Sequence, residues 1–293
     1  MRPEELAQRL WPGRPITVAP LEGGITNRNW RIEVPDGVFV LRVTGKDTNL
    51  LGIDRRDEHA ASLVAASVGV GPDVEAFLEP EESLVTRFIE GRPIAVEDMR
   101  TSERIEQVAT TLRKLHDGPS IPGRFDSFEV VDSYKRIAEE RGVKLPSAYE
   151  GAKAQADKIR RARGSQPTRP CHNDLLNANF IDDGSTMRIV DWEYSGMGDP
   201  FFDLANFSVN HEFETEHDEA LLQSYFGSSS ASARAAIELM RFMSDFREAM
   251  WGVVQQGISE LEFDFVAYAD EHFERMERIA AGRSFQRALE STP

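Results

Sequence analysis

A change in hydrophobic pattern near residue 91 is the feature that most constrains the fold of this 293-residue chain. Before it, apolar residues alternate in strand-like runs, and residues 29–34 and 38–43 flank the turn Pro35-Asp36-Gly37. An Asp-Gly pair between two such runs is a strong signal for a β-hairpin. After it, apolar residues recur at helical spacing, as at Ile105, Val108, Leu112 and Leu115. The chain is therefore predicted to have a β-rich part followed by a helical part.

The β-rich part, residues 1–90, is predicted to be a small, mostly antiparallel sheet with one inserted helix. Its expected elements beyond the hairpin are a helix at 54–68 and strands at 74–78 and 84–89. The helical part, residues 91–293, is interrupted by one further hairpin centred on Asp183-Gly184. These features predict an α+β fold with two lobes. A ligand cleft is expected between the lobes.

Composition limits the partners of the chain. Lys and Arg total 34 against 50 Asp and Glu, a net charge of −16, which predicts no binding to nucleic acid and tolerates a cationic substrate. There is no apolar run near the length of a membrane span, so membrane insertion is not expected. Cys171 is the only cysteine, which favours a reducing cytoplasm. The oligomeric state, monomer or homodimer, is left open.

The strongest chemical signal surrounds the second hairpin. His172, Asp174 and Asn179 have the spacing His-x-Asp-x-x-x-x-Asn, and Asp191 follows the hairpin. Mg²⁺ takes oxygen ligands, so the Asn179 amide and the Asp191 carboxylate suit it once the hairpin folds them together. Asp174 then stays free of metal, orients an alcohol and takes its proton late in phosphoryl transfer. We expect His172 to brace the loop.

These motifs resemble the catalytic loop and metal-binding aspartate of the protein-kinase-like superfamily. The sequences His-Asn-Asp-Leu and Asp-Trp-Glu-Tyr, from His172 and Asp191 respectively, are nearer to the choline/ethanolamine kinase and aminoglycoside phosphotransferase branch. The resemblance covers roughly residues 20–270 and implies a kinase that uses ATP and Mg²⁺. It makes residues 1–90 the nucleotide-binding lobe and residues 91–293 the catalytic and acceptor-binding lobe. It also implies that Asp203 braces the catalytic loop.

The resemblance assigns a nucleotide loop to the small lobe. Gly24, Thr26 and Asn27 lie between two expected strands, where small residues let backbone N–H groups approach a phosphate. The sequence does not match Gly-x-Gly-x-x-Gly. A plain hairpin turn explains these residues equally well.

Two further small-lobe positions are assigned to the nucleotide. Arg42 interrupts an apolar strand and needs an anionic partner, for which Glu58 is preferred over Asp57. By resemblance, Arg42 touches the phosphates of ATP. The resemblance also implies that backbone groups at Phe88 and Ile89 hydrogen-bond the adenine. An ordinary structural salt bridge is the alternative for Arg42.

The acceptor site is expected in the helical part, beside Asp174. The helix around Trp251 resembles the one that lines the choline pocket, where Trp251 would face a quaternary ammonium group. A core role is the alternative. Choline kinases commonly carry a second tryptophan where this chain has Glu248, which would instead balance a cationic amine. Glu193, Tyr194 and Phe213 are the other expected contacts.

Three functions compete. The first is a kinase of choline, ethanolamine or a similar small cationic alcohol. The second keeps the chemistry but acts on an aminoglycoside or another metabolite. The third is a pseudokinase that binds nucleotide without turnover, which the presence of Asp174, Asn179 and Asp191 argues against. No Ala-Pro-Glu segment follows Asp191, so a protein kinase is not expected.

Overall fold

The computed structural model describes residues 2–21 and 27–291. The helices are α1 (Pro3–Leu10), α2 (Arg55–Ser67), α3 (Ser102–His116), α4 (Ser127–Glu140), α5 (Tyr149–Arg163), α6 (Pro200–Asn210), α7 (Thr215–Phe226), α8 (Ala231–Ile258), α9 (Phe265–Ala281) and α10 (Arg283–Ser291). The strands are β1 (Thr17–Leu21), β2 (Arg28–Val34), β3 (Gly37–Val43), β4 (Val74–Leu78), β5 (Ser83–Arg87), β6 (Arg92–Pro93), β7 (Arg169–Cys171), β8 (Phe180–Asp182), β9 (Met187–Ile189) and β10 (Gly196–Gly198).

The first five strands form one antiparallel sheet in the order β1-β2-β3-β5-β4. The hairpin at Asp36-Gly37 sets the register of its centre, where Val34 pairs with Gly37. Ile32, Phe39 and Leu41 project from one face and bury Leu6 of α1. The prediction of a small antiparallel sheet and an α+β fold is confirmed.

Helix α2 connects this sheet to the helical part. Asp54 caps its N-terminus by accepting from two backbone amides, as short polar side chains commonly do. Ala61 and Ala65 belong to the large hydrophobic cluster of the helical part, whereas the sheet and α1 form a separate small cluster. The face of α2 that carries Glu58 meets β3 through Arg42. The helix therefore fixes one residue of the sheet relative to the larger lobe.

The connection between the lobes is held tightly at Gly91. After it, β6 pairs with β8, so the chain enters the large lobe along the second hairpin. A Cβ atom on Gly91 would lie 2.7 Å from the carbonyl oxygen of Asp182. Only glycine permits the backbone to approach so closely. The connection therefore packs against the end of β8, next to the turn of the hairpin that carries the metal-site candidates.

The large lobe is built around α8. Every residue from 242 to 255 is buried, because α4, α6 and α9 pack along the same stretch. The sequence did not predict α4 and α10, although Val131, Tyr134 and Ile137 give α4 a helical apolar stripe. Among the described residues, no helix has both the length and the apolar composition needed to cross a bilayer.

Candidate active site

Two hydrogen bonds of His172 connect the loop that carries Asp174 to the end of β9. The loop follows β7 and turns at Asn173, which has a left-handed φ of 66°. The Asp174 amide donates to Nδ1 of His172 at 3.2 Å, so Nε2 carries the proton and donates to the Val190 carbonyl at 3.0 Å. Burial lowers the pKa of His172, which favours this neutral form. The imidazole thus braces the loop against the end of β9.

Helix α6 supports the same loop from the other side. The Asp203 carboxylate accepts from the amides of His172 at 2.8 Å and Asn173 at 2.7 Å. One turn later, the side-chain oxygen of Asn206 accepts from the Leu175 amide at 2.6 Å. Residues three apart lie on one helix face, so a single helix satisfies three loop amides. This geometry fits the bracing role expected for Asp203.

A buried chain of hydrogen bonds that links Tyr225 to Asp203 through His116 was not predicted from the sequence. Nε2 of His116 donates to the Asp203 carboxylate at 3.0 Å, and Nδ1 lies 2.6 Å from the Tyr225 hydroxyl. His116 ends α3 and Tyr225 lies in α7, so three helices meet at one carboxylate. No local spacing links residues this far apart in sequence, and the contact depends on how the helices pack.

The second hairpin brings Asn179 and Asp191 together. The Val190 amide donates to the Asn179 carbonyl at 3.0 Å, so Asn179 lies opposite Val190 across the hairpin and Asp191 is the next residue along the chain. The side-chain nitrogen of Asn179 donates to the Asp174 carbonyl at 2.8 Å. The side-chain oxygen of Asn179 remains as a possible metal ligand. Asp191 adopts a left-handed φ of 69°, and its carboxylate lies 3.3 Å from Arg42 of the small lobe.

The charges around this hairpin favour a divalent cation. Burial raises the pKa of Asp174 to about 8, and burial together with Glu193 raises the pKa of Asp191 to about 6. Two ion-pair clusters lie here, and together they contain five carboxylates and three guanidinium groups: Arg42 and Arg55 pair with Glu58, Asp191 and Glu193, and Arg247 pairs with Asp174 and Glu248. A Mg²⁺ ion would offset the excess of negative charge, and the oxygen donors of Asn179 and Asp191 fit it.

The raised carboxyl pKa values predict how stability depends on pH. The folded protein holds these protons more tightly than the unfolded chain, whose Asp pKa is about 3.9. The free energy of unfolding should therefore fall as pH rises from about 4 to about 8. Calorimetry in a metal chelator should show this fall in Tm, and the double variant Asp174→Asn with Asp191→Asn should show a smaller one. An equal pH dependence in both proteins would contradict the assignment.

Arg42 is paired with the helix carboxylate that the sequence favoured. Its guanidinium forms an ion pair with Glu58, and not with Asp57, and also reaches Asp191. The Glu58 carboxylate binds Arg55 as well, at 2.8 Å. This pairing holds Arg42 beside Asp191, one of the metal-site candidates.

Glu193 serves a different contact from the one expected. Its carboxylate accepts from the side-chain amide of Asn27 at 2.8 Å and from the Arg55 guanidinium at 3.0 Å. Arg55 also donates to the side-chain oxygen of Asn27 at 2.8 Å. The three side chains close a buried triangle that ties the nucleotide-loop side of the small lobe to the segment after Asp191. The contacts of the Glu193 carboxylate are therefore with the small lobe, and its expected place in the acceptor site has no support here.

Of the remaining positions expected to bind the nucleotide, Phe88 and Ile89 are among the described residues. Gly24 and Thr26 lie outside the described residues. The Phe88 amide donates to the Val38 carbonyl at 2.9 Å, because the β3–β5 pairing continues past the end of the strand. The adenine edge would therefore meet the Phe88 carbonyl and the backbone of Ile89.

Trp251 lies in the core of the large lobe. Only 8% of its surface is exposed, and its indole N–H donates to the Tyr194 hydroxyl at 3.1 Å. The rings of Phe265 and Tyr268 pack edge-on against the indole. Phe213 is likewise buried in the core. These contacts favour the core alternative for Trp251 over an open face that would receive a cation.

Arg247 is a neighbour of Asp174 that the sequence did not single out. Nη1 lies 3.3 Å from Oδ1 of Asp174 and pairs with Glu248, and the guanidinium stacks 4.3 Å above the Tyr194 ring centroid. Glu248 also accepts from the Tyr268 hydroxyl at 2.9 Å. Its carboxylate is thus already balanced, contrary to its expected role as partner of a cationic amine. The available signal was the charged Arg247 within the mostly apolar stretch 242–255 of α8.

Comparison with known proteins shows the family of the chain. The family model described as "Phosphotransferase enzyme family" matches residues 17–243. The crystal structure of a choline/ethanolamine kinase family protein from Mesorhizobium loti is similar with a TM-score of 0.84 and 32% identity, covering 99% of this chain and 98% of that one. A probable choline kinase of Arabidopsis thaliana is 25% identical over 89% of this chain and 86% of its own length. LicA in complex with AMP shares the fold, with a TM-score of 0.76 and 23% identity over 99% and 97% of the two chains.

The chain belongs to the phosphotransferase enzyme family, and the protein-kinase-like fold predicted from its motifs is confirmed. Within that family it is a member of the choline/ethanolamine kinase group and therefore a small-molecule kinase that uses a nucleotide.

Proposed function

We propose that this enzyme transfers the γ-phosphoryl group of ATP to the hydroxyl of a small amino alcohol, with Asp174 as the catalytic carboxylate. Asn179 and Asp191 would hold Mg²⁺, which neutralises phosphate charge when bound. Arg42 would contact the phosphates from the small lobe. The observation that carries the proposal is the pairing of Asn179 with Val190 across the hairpin, which supports placing Asp191, the next residue, close to Asn179.

The role of Asp174 follows from its surroundings. Its amide donates to His172 and its carbonyl accepts from the side chain of Asn179, which supports placing its carboxylate beside the proposed metal ligands and off the metal. A carboxylate there can accept the hydrogen bond of an incoming alcohol and align its oxygen with the phosphorus. Because phosphoryl transfer needs little covalent chemistry from the protein, positioning of this kind supplies much of the catalysis.

The choice of an amino alcohol rests on the family and on charge. The relatives are described as choline or choline/ethanolamine kinases, and each of the two ion-pair clusters of the site has more carboxylates than guanidinium groups. An acceptor that is itself cationic is attracted to such a site. The single, buried Cys171 is compatible with the cytoplasm as the place of action.

A coupled assay for ADP tests the proposal. We expect turnover with at least one alcohol in a panel of ethanolamine, choline and aminoglycosides, and loss of that turnover on addition of a chelator because the phosphate charge is no longer neutralised. Restoring Mg²⁺ should restore activity. Release of ADP that is independent of every acceptor, or turnover that persists in the chelator, would contradict the proposed reaction.

A further inference from the structure

The position that a cationic acceptor needs beside Asp174 is occupied by the protein itself. Quaternary ammonium groups are bound on the faces of aromatic rings. The guanidinium of Arg247 forms an ion pair with Asp174. The same guanidinium stacks on the face of the Tyr194 ring, 4.3 Å from the ring centroid. The arginine therefore stands where a trimethylammonium group would find both an aromatic surface and a neighbouring carboxylate.

Arg247 cannot leave this position easily. Only 1% of its surface is exposed, and its guanidinium pairs with both Asp174 and Glu248. Moving it aside would leave two buried carboxylates without their partner, which is strongly unfavourable in a protein interior. An acceptor must therefore bind with Arg247 in place.

The neighbouring rings do not replace the covered one. The rings of Phe265 and Tyr268 pack against the indole of Trp251, and the Tyr268 hydroxyl donates to Glu248. By contrast, Nε and Nη2 of Arg247 are buried and have no hydrogen-bond partner among the described residues. Unpartnered buried donors are unfavourable until an oxygen atom reaches them. The described rings around Asp174 thus leave little open aromatic surface for a trimethylammonium group.

We propose that Arg247 is a specificity-determining residue that occupies the cation position over Tyr194 and selects primary-amine alcohols over quaternary ones. A primary ammonium group is small and is bound by donating to oxygen atoms, whereas a trimethylammonium group has no N–H and needs apolar or aromatic surface. This inference rests on the proposed amino-alcohol kinase activity.

A methylation series tests it: ethanolamine, N-methylethanolamine, N,N-dimethylethanolamine and choline. These acceptors share the hydroxyl and the chain length and differ only at nitrogen. We expect kcat/KM of the wild-type enzyme to fall along the series, by about tenfold or more between the ends. Equal or higher kcat/KM for choline would overturn the inference and leave the kinase assignment intact. Turnover of none of the four would remove the proposed acceptor class and the inference with it.

Variants then test whether Arg247 causes the expected preference for ethanolamine over choline. Arg247→Met combined with Glu248→Gln removes one charge of each sign, and we expect it to shift the ethanolamine-to-choline ratio of kcat/KM towards choline by about tenfold. The matched control is Arg241→Met with Asp218→Asn, which removes another ion pair made by α8 and should leave the ratio unchanged. The milder Arg247→Lys, which stacks less well, should shift the ratio in the same direction. An unchanged ratio in both Arg247 variants would overturn the inference.

Discussion

Replacing Asp174 by Asn should lower kcat by about 10³-fold while leaving ATP binding nearly unchanged. The amide keeps the shape of the side chain but cannot take the proton of the acceptor alcohol. The fold should tolerate the change, because burial raises the pKa of this carboxyl to about 8 and the neutral amide avoids burying a charge. Steady-state kinetics with the best acceptor, together with the thermal shift caused by ATP, measures both effects.

The same variant separates a chemical role from a structural one. If Asp174 only braced the loop, its replacement would lower stability and activity together. We expect instead that Tm near pH 8 is equal to or above that of the wild type. Activity within a fewfold of wild type would remove Asp174 as the catalytic carboxylate.

Replacing Asp191 by Ala should abolish turnover supported by Mg²⁺, with a loss of about two to three powers of ten in kcat. The carboxylate is the charged member of the proposed ligand pair, and without it Asn179 offers one neutral oxygen. The concentration of Mg²⁺ needed for half-maximal rate should also rise. A titration of rate against Mg²⁺ at saturating ATP measures both quantities.

Asp183→Ala is the matched control for this variant. Asp183 lies in the turn of the same hairpin, where it accepts from the amides of Ser185 and Thr186. Its loss should reduce stability without changing the Mg²⁺ requirement. Equal effects of the two substitutions on the Mg²⁺ titration would show that Asp191 supports the hairpin and does not bind the ion.

The sequence predicted those parts of the site that short segments determine. Asp174, Asn179 and Asp191 lie within one loop and one hairpin, so their spacing and the Asp-Gly turn were enough to bring them together. Arg42 and Glu58 were also paired correctly, because a strand arginine without a local partner needs the acid on the next helix. The same reasoning gave the sheet, where the alternation of apolar residues is a local signal.

The contacts that were missed depend on tertiary packing. Arg247 approaches Asp174 only because α8 crosses beneath the catalytic loop, and no periodicity within α8 indicates which loop it meets. His116 reaches Asp203 through the packing of α3. Glu193 was placed by analogy beside the acceptor, whereas its partners Asn27 and Arg55 come from the distant small lobe. Helix α4 is a different case, since its apolar stripe was present in the sequence and was overlooked.

The most direct test is a crystal structure with Mn²⁺ and a non-hydrolysable ATP analogue, in which anomalous scattering locates the metal. The structure predicts an ion bound by the Asn179 side-chain oxygen and the Asp191 carboxylate, with the Asp174 carboxylate off the metal and facing the γ-phosphate. An ion bound by Asp174, or no ion between Asn179 and Asp191, would contradict this account of the site.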